Sequence, residues 1–300
     1  MPMPFTLSHP AAVLPLMRRP FSRAALVTGA VAPDMPCFVV TTGLPVSAQS
    51  WYEPFVNATT SHTALGAVTV TLPYALALWG LCRAGHRPLA SLLPVPVTPS
   101  TLTPPPARTV GTLIRRAGWI ALSALIGIAT HLLWDAFTHH DGFVVTHAPW
   151  LTSPLVGGLT WARALQHPST IGGLAATTVY TWRRRARLRT GEGGTKTGGT
   201  TRRLVLLAMA LVTVVGAVAH TWRRLAGPEP VATGTTGLPL RVVIEGVLSD
   251  AAKGAGVSLI GALVLHVTVW WIRHTVTAPR RDENGVGSAD HDAPQANTTA

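Results

Sequence analysis

Between Leu204 and Trp222 the chain carries no acidic or basic side chain, and its only imidazole there is His220. A run of this kind matches the ~20 apolar residues that cross a bilayer as a helix. Further apolar runs lie at 62–82, 116–134 and 242–272, the last with Glu245, Asp250 and Lys253 in its first half, and a shorter one at 169–182 holds Gly172-Gly173. A further apolar stretch, 24–40, is interrupted by Pro33-Asp34-Met35-Pro36. In lipid every backbone polar group must be satisfied within its own segment, so runs of this length become helices. The expected fold is all-α: a polytopic integral membrane helical bundle of about six spans.

Composition agrees. Charged residues make up 12% of the chain, against about 25% in soluble domains. Lys and Arg outnumber Asp and Glu by 24 to 12, which raises the question of nucleic acid. Their placement answers it: they gather beside the apolar runs, as Arg115-Arg116, Arg183 to Arg189, Arg202-Arg203 and Arg280-Arg281. That is how membrane proteins fix orientation. The expected partners are membrane lipids and not nucleic acid, and the expected location is a membrane that the chain crosses several times. With only Cys37 and Cys82 there is neither a disulfide framework nor a thiolate metal cluster.

Residues 1–277 read as one membrane helical domain, with Pro-rich and Gly/Thr-rich linkers at about 91–107 and 190–201 and a polar tail over 278–300. Loops 83–116, 183–203 and 273–281 are rich in Lys and Arg, whereas 41–61 and 140–170 are poor. The alternation puts the basic loops and both termini inside, with Arg223-Arg224 the one misfit. Ser8 is placed to cap a short helix from His9-Pro10 to Met17. Segment 24–40 follows Arg18, Arg19 and Arg23 and ends in Ala30-Val31-Ala32, like a signal peptide, but Pro33 directly behind argues against cleavage. Pro33 and Pro36 break a helix, so the segment either spans or turns back.

Polar groups concentrate where the 116–134 run ends, in Thr130-His131-Leu132-Leu133-Trp134-Asp135-Ala136-Phe137-Thr138-His139. His131, Asp135 and His139 are four apart and share one helix face. A neutral imidazole and a carboxylate one turn apart can ligate one metal ion from the same side. Ionisable groups at a membrane are costly, and by default functional. On the charge-derived orientation, Asp34, His62 and the His131–His139 face reach the same outer depth. The alternative for His131 and Asp135 is a polar pair that joins helices or caps one. For Asp34 it is turn chemistry and capping, and for His62 an interfacial residue. His139, His140, Asp141 and His147 sit in or near a loop, where solvated histidines are ordinary. His220 and His266 read as helix-interface groups, Asp250 and Lys253 as an i,i+3 pair. No Gly-rich phosphate loop, nucleophile elbow or Cys-x-x-Cys motif occurs.

Three motifs carry a family resemblance: Pro4-Phe5-Thr6-Leu7-Ser8-His9-Pro10-Ala11-Ala12, Gly29-Ala30-Val31-Ala32-Pro33-Asp34-Met35-Pro36, and the Thr130–His139 stretch. Together they resemble the bacterial DUF4184 family, which has no established activity. More broadly, an early His, a Gly-x-x-x-Pro-Asp segment, a following His and a His-x-x-x-Asp helix are similar to membrane-bound metal-dependent hydrolases of the YdjM kind (DUF457). The Pro-Asp element also resembles that of zinc-dependent phospholipase C proteins. The likeness implies His9, Asp34, His62, His131 and Asp135 as metal ligands. This chain departs from the pattern at Thr60-Ser61-His62-Thr63, which lacks a His-Arg-Gly start, and in adding His139 and His140.

The expected function is thus a hydrolase at the outer face, with a divalent metal, zinc by its donors, held by His and Asp. Asp34 or Asp135 would serve as base instead of ligand, on a lipid-like ester or phosphodiester. The competing class is a non-enzymatic membrane protein whose cluster is structural or moves protons or ions, with Glu245, Asp250 and His266 extending the polar groups across the bilayer.

Overall fold

The computed structural model describes residues 6–92, 109–139, 141–157, 159–185, 198–226 and 240–276. The expected tail and most of both linkers lie outside them; Gly199 to Thr201 open a helix. After a 3-10 turn at Thr6–Ser8 come α1 (Pro10–Val13), a second 3-10 turn at Leu14–Leu16, α2 (Arg23–Val31), a third at Ala32–Asp34, and α3 (Met35–Thr41). Short helices α4 (Glu53–Val56), α5 (Ala58–Ser61) and α6 (Ala64–Gly66) lead through a π-helical stretch, Ala67–Thr71, into α7 (Leu72–Ala90). α8 (Val110–Thr138) is followed by α9 (Phe143–His147), α10 (Pro149–Thr152) and a small antiparallel hairpin of β1 (Pro154–Val156) and β2 (Leu159–Thr160). α11 (Trp161–Arg185), α12 (Gly199–Leu225) and α13 (Leu240–Val276) complete the bundle.

Five described helices are long and apolar enough to cross a membrane: Arg23–Thr41, Ala64–Ala90, Val110–His147, Gly199–Arg223 and Val243–Val276. The chain is a multi-pass membrane protein. The sixth expected span, 169–182, falls inside α11, which has the length but is more polar, with Arg163, Gln166 and His167 ahead of an internal Pro168.

The N-terminal segment folds differently from its sequence reading. Ser8 closes a 3-10 turn, and His9 takes the N-cap position in helical conformation (φ −58°, ψ −34°) with no capping hydrogen bond from its side chain. Pro15 has no N–H to continue α1, so the helix tightens into the Leu14–Leu16 turn. The chain then reverses between Met17 and Ser22, where Arg23 Nε donates to the Met17 carbonyl. Ser22 caps α2 by accepting from Ala25 N–H. Val13, Leu26 and Ala30 are fully buried together, so α1 lies antiparallel along α2. Pro33 and Pro36 do not turn the chain back: their missing N–H groups are absorbed by one 3-10 turn, and α3 continues from it.

α2 runs parallel to α8 in a fixed register. Ser22 N–H donates to Ser123 Oγ at 2.9 Å, and the His131 ring meets the Ala30 carbonyl at 2.7 Å, both across 101 residues. Between these bonds the backbones touch. A Cβ on Gly29 would stand 2.1 Å from the Ala124 carbonyl oxygen, and one on Gly127 would stand 2.3 Å from that of Leu26. Hydrophobicity gives helices no drive to associate in lipid, so close approach through small residues is what holds such a pair. Ala25 and Ala124 complete the seam.

α13 is fastened to α7 at a weak point of the latter. Pro88 lies inside α7 and cannot donate to the Ala84 carbonyl one turn earlier. Trp271 Nε1 supplies that donor at 3.0 Å. His266 Nε2 lies 3.3 Å from the Pro88 carbonyl, which fits its reading as a helix-interface group. Trp271→Phe removes the substitute donor. A drop of about 1 kcal/mol in stability is expected, seen as a lower thermal midpoint of the detergent-solubilised chain.

The orientation has its own test. In a cysteine-free background, a cysteine at Gly157, in the exposed β1–β2 turn, should react with an impermeant maleimide on intact cells. One at Thr200, in the first turn of α12, should not. Labelling at position 200 from outside would reverse the assignment.

Candidate metal centre

Asp34 ends the 3-10 turn before α3. It stands at the N-cap but makes no capping hydrogen bond with its side chain, which is only 3% exposed. Its carboxylate is therefore not spent on the turn chemistry that Pro-Asp-x-Pro suggests.

His62 is the C-cap of α5, and its Nδ1 lies 2.7 Å from the Ala58 carbonyl. His131, in the last third of α8, has Nδ1 2.7 Å from the Ala30 carbonyl. A carbonyl only accepts, so both Nδ1 atoms carry the proton, and in a neutral ring each Nε2 is left bare. The second nitrogen of a metal-bound histidine is anchored in this way, which sets tautomer and ring direction. Buried hydroxyls brace the frame. Ser61 Oγ donates to the Pro33 carbonyl at 2.8 Å, and Thr71 Oγ1 to the Ser61 carbonyl at 2.8 Å. They tie the His62 turn to the Asp34 turn and to the π-helical stretch.

The two bare nitrogens point at two carboxylates. His131 Nε2 is 3.1 Å from Asp135 Oδ2 and 3.6 Å from Asp34 Oδ1; His62 Nε2 is 3.4 Å and 3.9 Å from the same two atoms. One ligand atom from each of the four residues lies within 4.8 Å of every other. Bond lengths near 2.0–2.1 Å place tetrahedral zinc ligands about 3.3 Å apart, so the set has the spacing of a coordination shell. The second oxygen of Asp135 faces another pair: His9 Nε2 at 3.7 Å and His139 Nε2 at 3.5 Å. The His9 ring stacks on His131 at 3.8 Å. Burial, then the neighbouring His131, pushes His9 down to about 4; at neutral pH it is an uncharged imidazole, the form that ligates.

These groups are unsatisfied as they stand. Both His9 nitrogens, Asp34 Oδ2, His131 Nε2, both Asp135 oxygens and His139 Nε2 are buried with no hydrogen-bond partner among the described residues. Native proteins rarely leave buried polar atoms so, and acceptors facing acceptors repel unless a proton or a metal ion lies between them. The donor set and its spacing fit a divalent metal. The cluster is entered from one side: the His62 and His139 side chains are 28% and 24% exposed, whereas His131 is fully buried.

All five residues singled out in the sequence, His9, Asp34, His62, His131 and Asp135, meet here. His9 does so because α1 folds back along α2. His139, set aside as a loop histidine, joins them; its signal was the i+4 spacing from Asp135, on the last turn of α8. His147 stays apart, its Nδ1 against the Phe143 carbonyl. Glu245 pairs with Arg163, and Asp250 with Lys253 at 3.6 Å.

The family model described as a domain of unknown function, DUF4184, matches residues 3–264. The chain belongs to the DUF4184 family. No curated protein and no solved structure matches it. The DUF4184 match takes in every residue of the cluster and all of α1 to α12, so the His/Asp site lies within the family's own domain and not on an appended segment.

Proposed function

We propose that this DUF4184 chain is a membrane-bound metal-dependent hydrolase acting on an ester or phosphodiester. The observation that supports it is the pair of histidines whose Nδ1 atoms are tied to backbone carbonyls while each Nε2 faces two buried carboxylates. His62 and His131 would bind through Nε2, with Asp135 and Asp34 closing the set and His9 and His139 on the far oxygen of Asp135. A divalent cation there, zinc by its donors, supplies Lewis acidity at neutral pH. Asp34 Oδ2, without a partner, is placed to take the proton of the attacking water. As the water oxygen bonds to the acyl carbon or phosphorus, the ester oxygen leaves with a proton. The frame of α2, α5 and α8 holds these groups, and the exposed His62–His139 side admits water.

The test is hydrolysis of p-nitrophenyl acetate and bis-p-nitrophenyl phosphate by the purified chain in detergent. Activity that a chelator removes, zinc restores and Asp34→Asn abolishes is expected. Equal rates for the wild type and Asp34→Asn would sink the reading.

One contact favours a second reading. The His131 Nε2–Asp135 Oδ2 distance of 3.1 Å suits a charge-assisted hydrogen bond if His131 is doubly protonated. The cluster would then be structural and hold no metal after purification.

A further inference from the structure

On the other side of the Thr6–Leu7 turn from the cluster, a cavity of about 400 Å³ opens between α3, α7, α11 and α13. Its size falls in the ~300–1,000 Å³ range of small-molecule sites. The walls are apolar where Val31, Met35, Phe38, Leu78, Leu259 and Ile260 meet. Most of its polar residues belong to the first halves of α11 and α13: Arg163, Gln166 and His167 from one, Glu245, Ser249 and Lys253 from the other. Ser249 Oγ is buried there without a hydrogen-bond partner among the described residues. The wall toward the cluster is thin. Met35 directly follows Asp34, and the Thr6 hydroxyl faces the Asp34 carboxylate.

We propose that this cavity binds one acyl chain of a membrane phospholipid, with the phosphate at the Arg163–Lys253 mouth. Apolar walls ending in a polar mouth match a lipid's own division. Arg163 is paired with Glu245 through Nη2, and Lys253 lies 3.6 Å from Asp250. A phosphate would therefore be met by the remaining N–H donors of the guanidinium and by the Ser249 hydroxyl, which has no hydrogen-bond partner among the described residues. The surroundings supply the occupant, because α7 and α13 are among the helices fitted to cross a bilayer. The inference gives the proposed hydrolase its substrate class and rests on that reading only for the chemistry; binding stands apart from it.

The experiment reconstitutes the full chain in vesicles of phosphatidylethanolamine and phosphatidylglycerol containing a phosphatidylethanolamine with a photoactivatable acyl chain. Cross-linked peptides are mapped by mass spectrometry. Labelling of α3 and α13 cavity residues is expected to exceed labelling of the exposed α12 face around Leu211 by about tenfold, a preference of about 1.4 kcal/mol. Ala252→Trp, which fills the cavity, should abolish the excess while metal content stays constant. Leu248→Trp is the second variant should Ala252→Trp fail to fold. Labelling no stronger than at α12, or unchanged in a folded cavity-filled variant, overturns the proposal. Specific labelling of a metal-loaded chain that leaves the lipid intact keeps the lipid site and removes the hydrolase reading.

Discussion

His131→Ala is expected to bind metal about a hundredfold more weakly and to lose it to a competing chelator that the wild type withstands, while the chain still inserts and elutes as a single species in detergent. The wild type, purified without chelator, should carry about one ion per chain or more. Zinc bound by four protein ligands is worth about 10–16 kcal/mol at neutral pH. Loss of one ligand in four then costs roughly 3 kcal/mol, or a hundredfold in affinity. Asp135→Ala should cost at least as much, because both its oxygens face imidazoles. His139→Ala should cost less, since it lies outside the four-residue set. The measurement is metal per chain by mass spectrometry, beside a thermal midpoint. Full metal in both the His131 and Asp135 variants would make the cluster structural.

The second large effect is at the α2–α8 seam. Gly127→Val puts a branched side chain where even a Cβ stands 2.3 Å from a backbone oxygen, so the helices must separate. Overpacking costs typically 1–3 kcal/mol, occasionally more, and lipid offers no hydrophobic gain to offset lost contact. Separation also pulls the Ala30 carbonyl from His131, which lies one turn beyond Gly127. Stability and metal should fall together. Gly118→Val is the control on the same helix: its Cβ meets nothing within 4 Å, and a change within about 0.5 kcal/mol is expected. Equal midpoints for the two variants would mean that the seam does not hold the site.

Much of the site could be read from residue order because it depends on short-range spacing. The four-residue steps of His131, Asp135 and His139 put them on one face, and the alternation of basic loops brought Asp34 and His62 to the same end. The reversal that delivers His9 had no such signal. It occurs at Met17–Ser22 because Val13 packs against Leu26 and Ala30, a tertiary cause, whereas the conspicuous Pro33 and Pro36 only tighten the helix. His139 was visible as a position but not as a member, since a helix end and a loop start look alike in composition. The seam was also hidden: Gly29 and Gly127 acquire meaning only as facing partners. The polarity of α11 follows from Arg163 and His167, whose neighbours come from α13 and residues 6–7.

The 101-residue gap between the Ala30 carbonyl and the His131 ring also bears on how the protein is made. During synthesis α2 reaches the membrane carrying Asp34 long before α8 has left the ribosome. For that interval the Asp34 carboxylate sits at the membrane without His131, the nearer of the two imidazoles that face its Oδ1, so it stays hydrated or protonated. Emergence of α8 supplies the register-setting bonds and the remaining donors in one step, and the described cluster is complete by His139. α12 and α13 follow as a pair that pack on one another through Gly216 and Gly254. The order of translation therefore separates assembly of the His/Asp cluster from closure of the neighbouring cavity, whose last wall, α13, is the last of the described helices to arrive.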